Sequence, residues 1–89
     1  MSITVFLADD HAVVREGLRL LLEAQPDIEV VGEASNGREA VEQARTLCPD
    51  VAILDIAMPE LNGIDAARQI REACESSQII ILSTLVSGN

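Results

Sequence analysis

Three carboxylates and a hydroxyl stand at matching places in this chain. Asp9 and Asp10 follow the apolar run Ile3–Ala8, Asp55 follows residues 51–54, and Ser83 follows residues 79–82. If those runs are parallel strands, all four groups share one rim of one sheet. Carboxylate oxygens so grouped suit a hard cation, and a neighbouring hydroxyl suits a phosphoryl group. Repulsion among the acids points the same way, since a cation between them would relieve it.

Composition narrows the setting. The chain has 89 residues, room for one domain with a modest core. Apolar residues make up 48%, too many for a disordered segment. No apolar run is long enough to span a membrane, and the N-terminus lacks a signal-peptide layout. A cytoplasmic location is therefore expected. The formal net charge is −9, and the six basic residues are all arginines: Arg15, Arg19, Arg38, Arg45, Arg68 and Arg71. Such a surface does not suit nucleic acid. Phe6 is the only aromatic residue, so the core must be built from Ile, Val, Leu and Ala. Cys48 and Cys74 have no metal-ligand spacing, and in a reducing compartment they read as free thiols.

The elements that must position the acids follow from periodicity. The run Ile3–Ala8 is nearly continuously apolar, interrupted by Thr4, and reads as a buried strand. Residues 12–24 carry Val14, Leu18, Leu21 and Leu22 at helical spacing, with Pro26 and Asp27 as a stop. Gly17 would let this helix approach the sheet. Residues 28–34 alternate, as an edge strand does, with Ile28, Val30, Gly32 and Ala34 on one side. Asn36 reads as an N-cap with Glu39 completing a capping box. A second helix follows, with Ala40, Val41, Ala44 and Leu47 inward, ended by Pro49. Residues 51–54 form a buried strand, and Asn62-Gly63 signals a turn. A third helix then places Ile64, Ala67, Ile70 and Cys74 inward, and residues 79–82 form a last buried strand.

The pattern is βαβαβαβ. Right-handed crossovers make the sheet parallel and doubly wound. With the alternating strand at an edge, the order is 2-1-3-4, the front part of a flavodoxin-like α/β fold. Ligands bind such sheets beyond the carboxyl ends of the strands, where the winding reverses between the first and third. Asp9, Asp10 and Asp55 fall there. The fourth strand is apolar on both faces and reads as central, which leaves the sheet incomplete.

These residues carry a family likeness. Val5-Phe6-Leu7-Ala8-Asp9-Asp10-His11, with Val14-Arg15-Glu16-Gly17-Leu18, resembles the opening of a bacterial response-regulator receiver domain. Asp50-Val51-Ala52-Ile53-Leu54-Asp55-Ile56-Ala57-Met58-Pro59, then Asn62-Gly63, resembles its phosphoacceptor strand and loop. Ile80-Ile81-Leu82-Ser83 resembles its fourth strand. His11 and the Arg-Glu-Gly-Leu segment are similar to the NarL/FixJ subfamily, whose members usually carry a C-terminal DNA-binding domain. The likeness covers essentially the whole chain.

The resemblance implies a CheY-like phosphoacceptor module of two-component signalling. Asp55 would accept a phosphoryl group from a histidine kinase, and Ser83 would contact that group. Mg²⁺ would be held by Asp10, Asp55 and the Ala57 carbonyl, with Asp9 acting through a water. The module is expected to control an attached transcription-regulator domain and not to be an enzyme itself. The family also has a lysine at the end of a fifth strand, while this sequence has none. Residues 1–89 thus read as a truncated receiver domain ending after its fourth strand, without a DNA-binding domain.

Two other functions compete. One is a non-signalling fragment that self-associates as a homo-oligomer through the fourth strand and residues 84–89. The other is an Mg²⁺-dependent phosphotransferase or phosphatase, for which the chain offers no general acid at a suitable spacing from Asp55. His11 reads as a surface or helix-start residue. Arg15 and Arg19 are expected in solvent or paired with Glu16 and Glu23, and Met58 in loop packing.

Overall fold

The apolar runs at residues 3–8 and 51–54 become strands that bury most of both faces, whereas residues 79–82, expected as a buried strand, are half-exposed at an edge of the described sheet. A computed structural model describes residues 2–83, in the order β1 (Ile3–Ala8), α1 (Ala12–Glu23), β2 (Ile28–Ala34), α2 (Gly37–Leu47), β3 (Val51–Asp55), α3 (Gly63–Ala73) and β4 (Gln78–Leu82). The strands form one parallel sheet in the order β2-β1-β3-β4, as expected. Residues 84–89, part of the expected self-association segment, lie outside the described residues.

The main core lies between the sheet and the pair α2–α3. Phe6, Ala8, Ala52 and Leu54 from the strands meet Ala40, Val41, Ala44, Ala66 and Ile70 from the helices. Alanines at the helix contacts let both helices approach closely, leaving room for Phe6. Complete burial of that ring contributes about 1.5–3 kcal/mol. Gly32 on β2 makes further space, since a β-carbon there would lie 3.0 Å from both Phe6 Cδ1 and Leu47 Cδ1.

The opposite face is covered differently. None of the α1 residues is fully buried, and Leu21 is 70% exposed. A β-carbon on Gly17 would meet nothing within 4 Å, so this glycine does not serve close packing. Val5 and Leu7 are nonetheless buried on this face, and ion pairs add a further tie between α1 and β2. Glu33 of β2 receives Arg15 Nε at 3.0 Å and Arg19 Nε at 3.1 Å. Arg19 also approaches Glu23, at 3.9 Å, but Glu33 is the shared partner.

Several local expectations are corrected. A bulge at Val31 shifts the pairing from Val5 with Val30 to Phe6 with Gly32. Ile28 and Val30 therefore share a face with Val5, while Gly32 and Ala34 share the other with Phe6 and Ala8. Asn62-Gly63 is not a turn. Asn62 caps α3 by accepting the Asp65 N–H at 2.9 Å, and Gly63 is its first residue. The left-handed residue of that loop is Glu60, at φ 69°. Starting the helix at Gly63 turns Ile64 outward, 53% exposed, and Ala66 takes the inward place. Asn36 caps α2 through the Glu39 N–H, but Glu39 Oε1 accepts from Ser35, one residue before the position of a capping box.

The cysteines are not free. Cys48 and Cys74 form a disulfide, with their α-carbons 5.4 Å apart. They cap the C-termini of α2 and α3, which lie side by side on one face of the sheet. Separated by 26 positions in sequence, they meet only once the crossovers are made.

Candidate functional site

β1 delivers its acids by continuing its ladder one residue beyond the strand. The Asp9 N–H donates to the Ala34 carbonyl at 3.1 Å. Asp9 is buried and Asp10 exposed. Asp9 Oδ1 accepts the His11 N–H at 2.8 Å, which turns the chain into α1. Arg15, one turn into that helix, donates from Nη1 to the Asp9 carbonyl at 2.6 Å. The same guanidinium holds Glu33, so one side chain ties the Asp9 turn, α1 and β2 together.

β3 brings Asp55 alongside. Ala8 pairs with Leu54, and Asp55 pairs with Leu82, leaving Asp55 only 1% exposed at the carboxyl end of the sheet. The chain then bends. Ile56 N–H donates to the Leu82 carbonyl at 2.9 Å, and Gly63 N–H donates to the Ile56 carbonyl at 3.0 Å. Ala57 N–H lies 3.4 Å from Asp55 Oδ1. Met58 anchors the loop in the core, as expected. Two glycines permit this packing: a β-carbon on Gly63 would overlap the Asp55 carbonyl, and one on Gly37 would overlap that of Leu61.

The acids converge on one nitrogen. His11 Nδ1 lies 2.8 Å from Asp9 Oδ1, 3.1 Å from Asp10 Oδ1 and 3.8 Å from Asp55 Oδ2. One donor atom from each of the four residues falls within 4.8 Å of all the others. The hydrogen bond to Asp9 raises the His11 pKa above its ordinary value of 6.5, reinforced by the charge of Asp10 and opposed by partial loss of hydration. The imidazole thus stands where a cation would. Asp9 Oδ2 is buried without a hydrogen-bond partner among the described residues. A buried carboxylate oxygen in that state favours a positive partner. The residues therefore fit a hard divalent cation bound through oxygen.

Asp9, Asp10 and Asp55 come together as the sequence implies. Ser83 is exposed and follows Leu82, the register partner of Asp55, on the same rim. Ala57 is exposed in the bend after β3. Three residues of the site were not read from sequence: His11 among the acids, Arg15 behind Asp9, and Gly63 beneath Asp55. The adjacency of His11 to the acid pair was the available signal.

Comparison with known proteins identifies the family and the fold. The family described as "Response regulator receiver domain" matches residues 5–87. The chain is 49% identical over 87 residues to the transcriptional regulatory protein LiaR of Bacillus subtilis, covering 98% of this chain and 41% of LiaR. It is 45% identical over 85 residues to a protein-glutamate methylesterase/protein-glutamine glutaminase of Alkalilimnicola ehrlichii, covering 96% of this chain and 22% of that protein. The signal receiver domain of the putative response regulator NarL from Mycobacterium tuberculosis superposes with a TM-score of 0.88 at 32% identity, covering 98% of this chain and 70% of that one. The chain thus spans less than half of the two full-length relatives.

Proposed function

This chain belongs to the response regulator receiver domain family, and on that premise we propose that it is a phosphoacceptor module with Asp55 as the accepting residue. The observation that carries the proposal is the convergence of Asp9, Asp10 and Asp55, with donor atoms within 4.8 Å of one another, at the end of the sheet.

In this reading a carboxylate oxygen of Asp55 attacks phosphorus on the phosphohistidine of a partner kinase. The P–N bond breaks, the imidazole leaves, and Asp55 becomes an acyl phosphate. Burial of Asp55 and the register of β3 support this reading by holding the carboxylate in place at the carboxyl end of the sheet. Such transfer depends on alignment and charge neutralisation more than on covalent help from the protein. Asp10 and Asp55, with the Ala57 carbonyl, would hold Mg²⁺, and Asp9 would act through a water. When bound, Mg²⁺ supplies neutralisation of the charge gathering on the transferred group. Ser83 would donate its hydroxyl to a phosphoryl oxygen. Arg15 keeps Asp9 in place through its backbone carbonyl.

We read the chain as a signalling module in the cytoplasm and not as an enzyme. In the whole protein it would control transcription through an attached domain, a reading supported by the similarity to LiaR. Residues 1–89 supply the receiver part, and with a net charge of −9 they are not expected to bind DNA themselves. Phosphorylation by a small phosphodonor, mapped to Asp55, tests the proposal.

One observation favours a second reading, in which copies associate through β4. That strand is an edge of the described sheet, and Ile80 and Ile81 are 47% and 37% exposed. Such an edge can template pairing with another chain. Sedimentation across a concentration series, with Ile80→Lys as the control, separates this reading from a monomer.

A further inference from the structure

The cysteine pair lies away from the acidic rim. Cys48 leads through Pro49 and Asp50 into β3, and Cys74 leads into β4, so both stand at the amino ends of strands, at the edge of the sheet opposite the rim that carries the acids. The two differ in access: Cys48 is exposed, whereas Cys74 is only 3% exposed. Cys48 also has a left-handed backbone, φ 41°, at the C-cap of α2. Glycine is the usual residue at such a cap because a β-carbon is disfavoured there. A side chain is nonetheless present, and it meets Cys74 at a Cα separation inside the range that a disulfide spans.

We propose that Cys48 and Cys74 form a reversible thiol–disulfide site, with exposed Cys48 as the attacking thiol and buried Cys74 as the resolving one. The oxidant is a low-molecular-weight disulfide. The Cys48 thiol loses its proton and attacks one sulfur of the oxidant, whose S–S bond breaks. One thiol leaves, taking up a proton, and a mixed disulfide remains on Cys48. The Cys74 thiolate then attacks the Cys48 sulfur, the mixed disulfide breaks, and the second thiol leaves protonated. Two protein thiols have become one disulfide, and one small disulfide has become two thiols. In a reducing cytoplasm the resting form is the dithiol, and the closed form appears under oxidation.

Closure fastens the C-terminal ends of α2 and α3 and encloses β3 with Asp55, the following loop and the whole of α3 in a covalent ring. Constraining the unfolded chain in this way raises stability. The site is therefore a redox setting on the firmness of the receiver, separate from the phosphoacceptor chemistry.

The test uses the 89-residue chain in glutathione buffers of graded ratio, with thiols counted by alkylation and mass. The expected result is a single step losing two thiols, and an oxidised form that melts about 10–20 °C above the reduced form. Cys74→Ala should take one glutathione, at Cys48. Cys48→Ala should react at least about tenfold more slowly, because burial restricts access to Cys74. Cys48→Gly keeps the assay informative if either alanine variant folds poorly. When reduced it should melt above the reduced parent, since glycine suits the cap, and under oxidising conditions it should melt below the oxidised parent. Equal melting temperatures for the two redox forms of the parent would overturn the proposal. So would equal glutathione reactivity of the two alanine variants, or a Cys48→Gly variant more stable than the parent under oxidising conditions.

Discussion

Gly63 lies where a β-carbon would overlap the backbone carbonyl of Asp55. The start of α3 rests directly on the turn that follows the proposed phosphoacceptor. The obstructing atoms are backbone, so a larger residue cannot be accommodated by a side-chain rotation. Gly63→Ala should therefore destabilise the fold by about 1–3 kcal/mol and displace the Asp55 loop. Chemical denaturation measures the first effect, and the amide shifts of Asp55 and Ala57 report the second. An unchanged midpoint would mean that α3 can move away at no cost.

Gly17 predicts the opposite sign. It lies within α1, and no atom lies within 4 Å of an added β-carbon. Gly17→Ala should stabilise the chain by about 0.5–1 kcal/mol, because alanine loses less backbone entropy in a helix. Thermal melting should rise by several degrees. A lower melting temperature would show that the α1 face is packed more tightly than the structure has it.

Much of the fold was legible because charge and periodicity agree. The acids that end apolar runs had to share a rim once the sheet was parallel, and Asp9, Asp10 and Asp55 do. The alternation of residues 28–34 marked an edge, but the bulge at Val31, which swaps the strand's faces, leaves no composition signal. Ile64 read as core because it is apolar, yet the helix begins at Gly63 and a smaller Ala66 fits against the sheet. The disulfide could not be read, since it depends on where α2 and α3 end relative to each other. Arg15 and Arg19 seek Glu33, across elements, over glutamates on their own helix.

That shared contact predicts coupling. Arg15→Ala should cost about 1–2 kcal/mol, through loss of a charge-assisted bond to the Asp9 carbonyl and a partly exposed ion pair. Glu33→Gln should cost less. A double-mutant cycle in denaturant should give a coupling of about 0.5–1 kcal/mol between them. Additive losses would mean that Arg15 acts through Asp9 alone.

His11 predicts a pH dependence for the metal-free chain. Its pKa is raised, chiefly by the hydrogen bond to Asp9 and then by the charge of Asp10. A raised folded-state pKa gives stability that is fully present below the ordinary value of 6.5 and is lost as pH rises through the folded value. NMR titration of the imidazole in the presence of a chelator should give a midpoint above 6.5. Asp9→Asn should move that midpoint back down. A midpoint at or below the ordinary value would mean that the ring faces solvent and not the acids.

The most direct measurement is phosphorylation itself. The chain is incubated with acetyl phosphate and Mg²⁺, its intact mass is recorded, and the adduct is trapped by borohydride reduction and mapped. The account predicts one phosphoryl group per molecule, on Asp55, dependent on Mg²⁺ and absent from Asp55→Asn. The yield should be modest, because the sequence has no lysine to pair with the phosphoryl group, and a charged hydrogen bond of that kind contributes about 1.5–3 kcal/mol. Complete absence of incorporation into the folded chain, or stable labelling of Asp9 or Asp10 in its place, would contradict it.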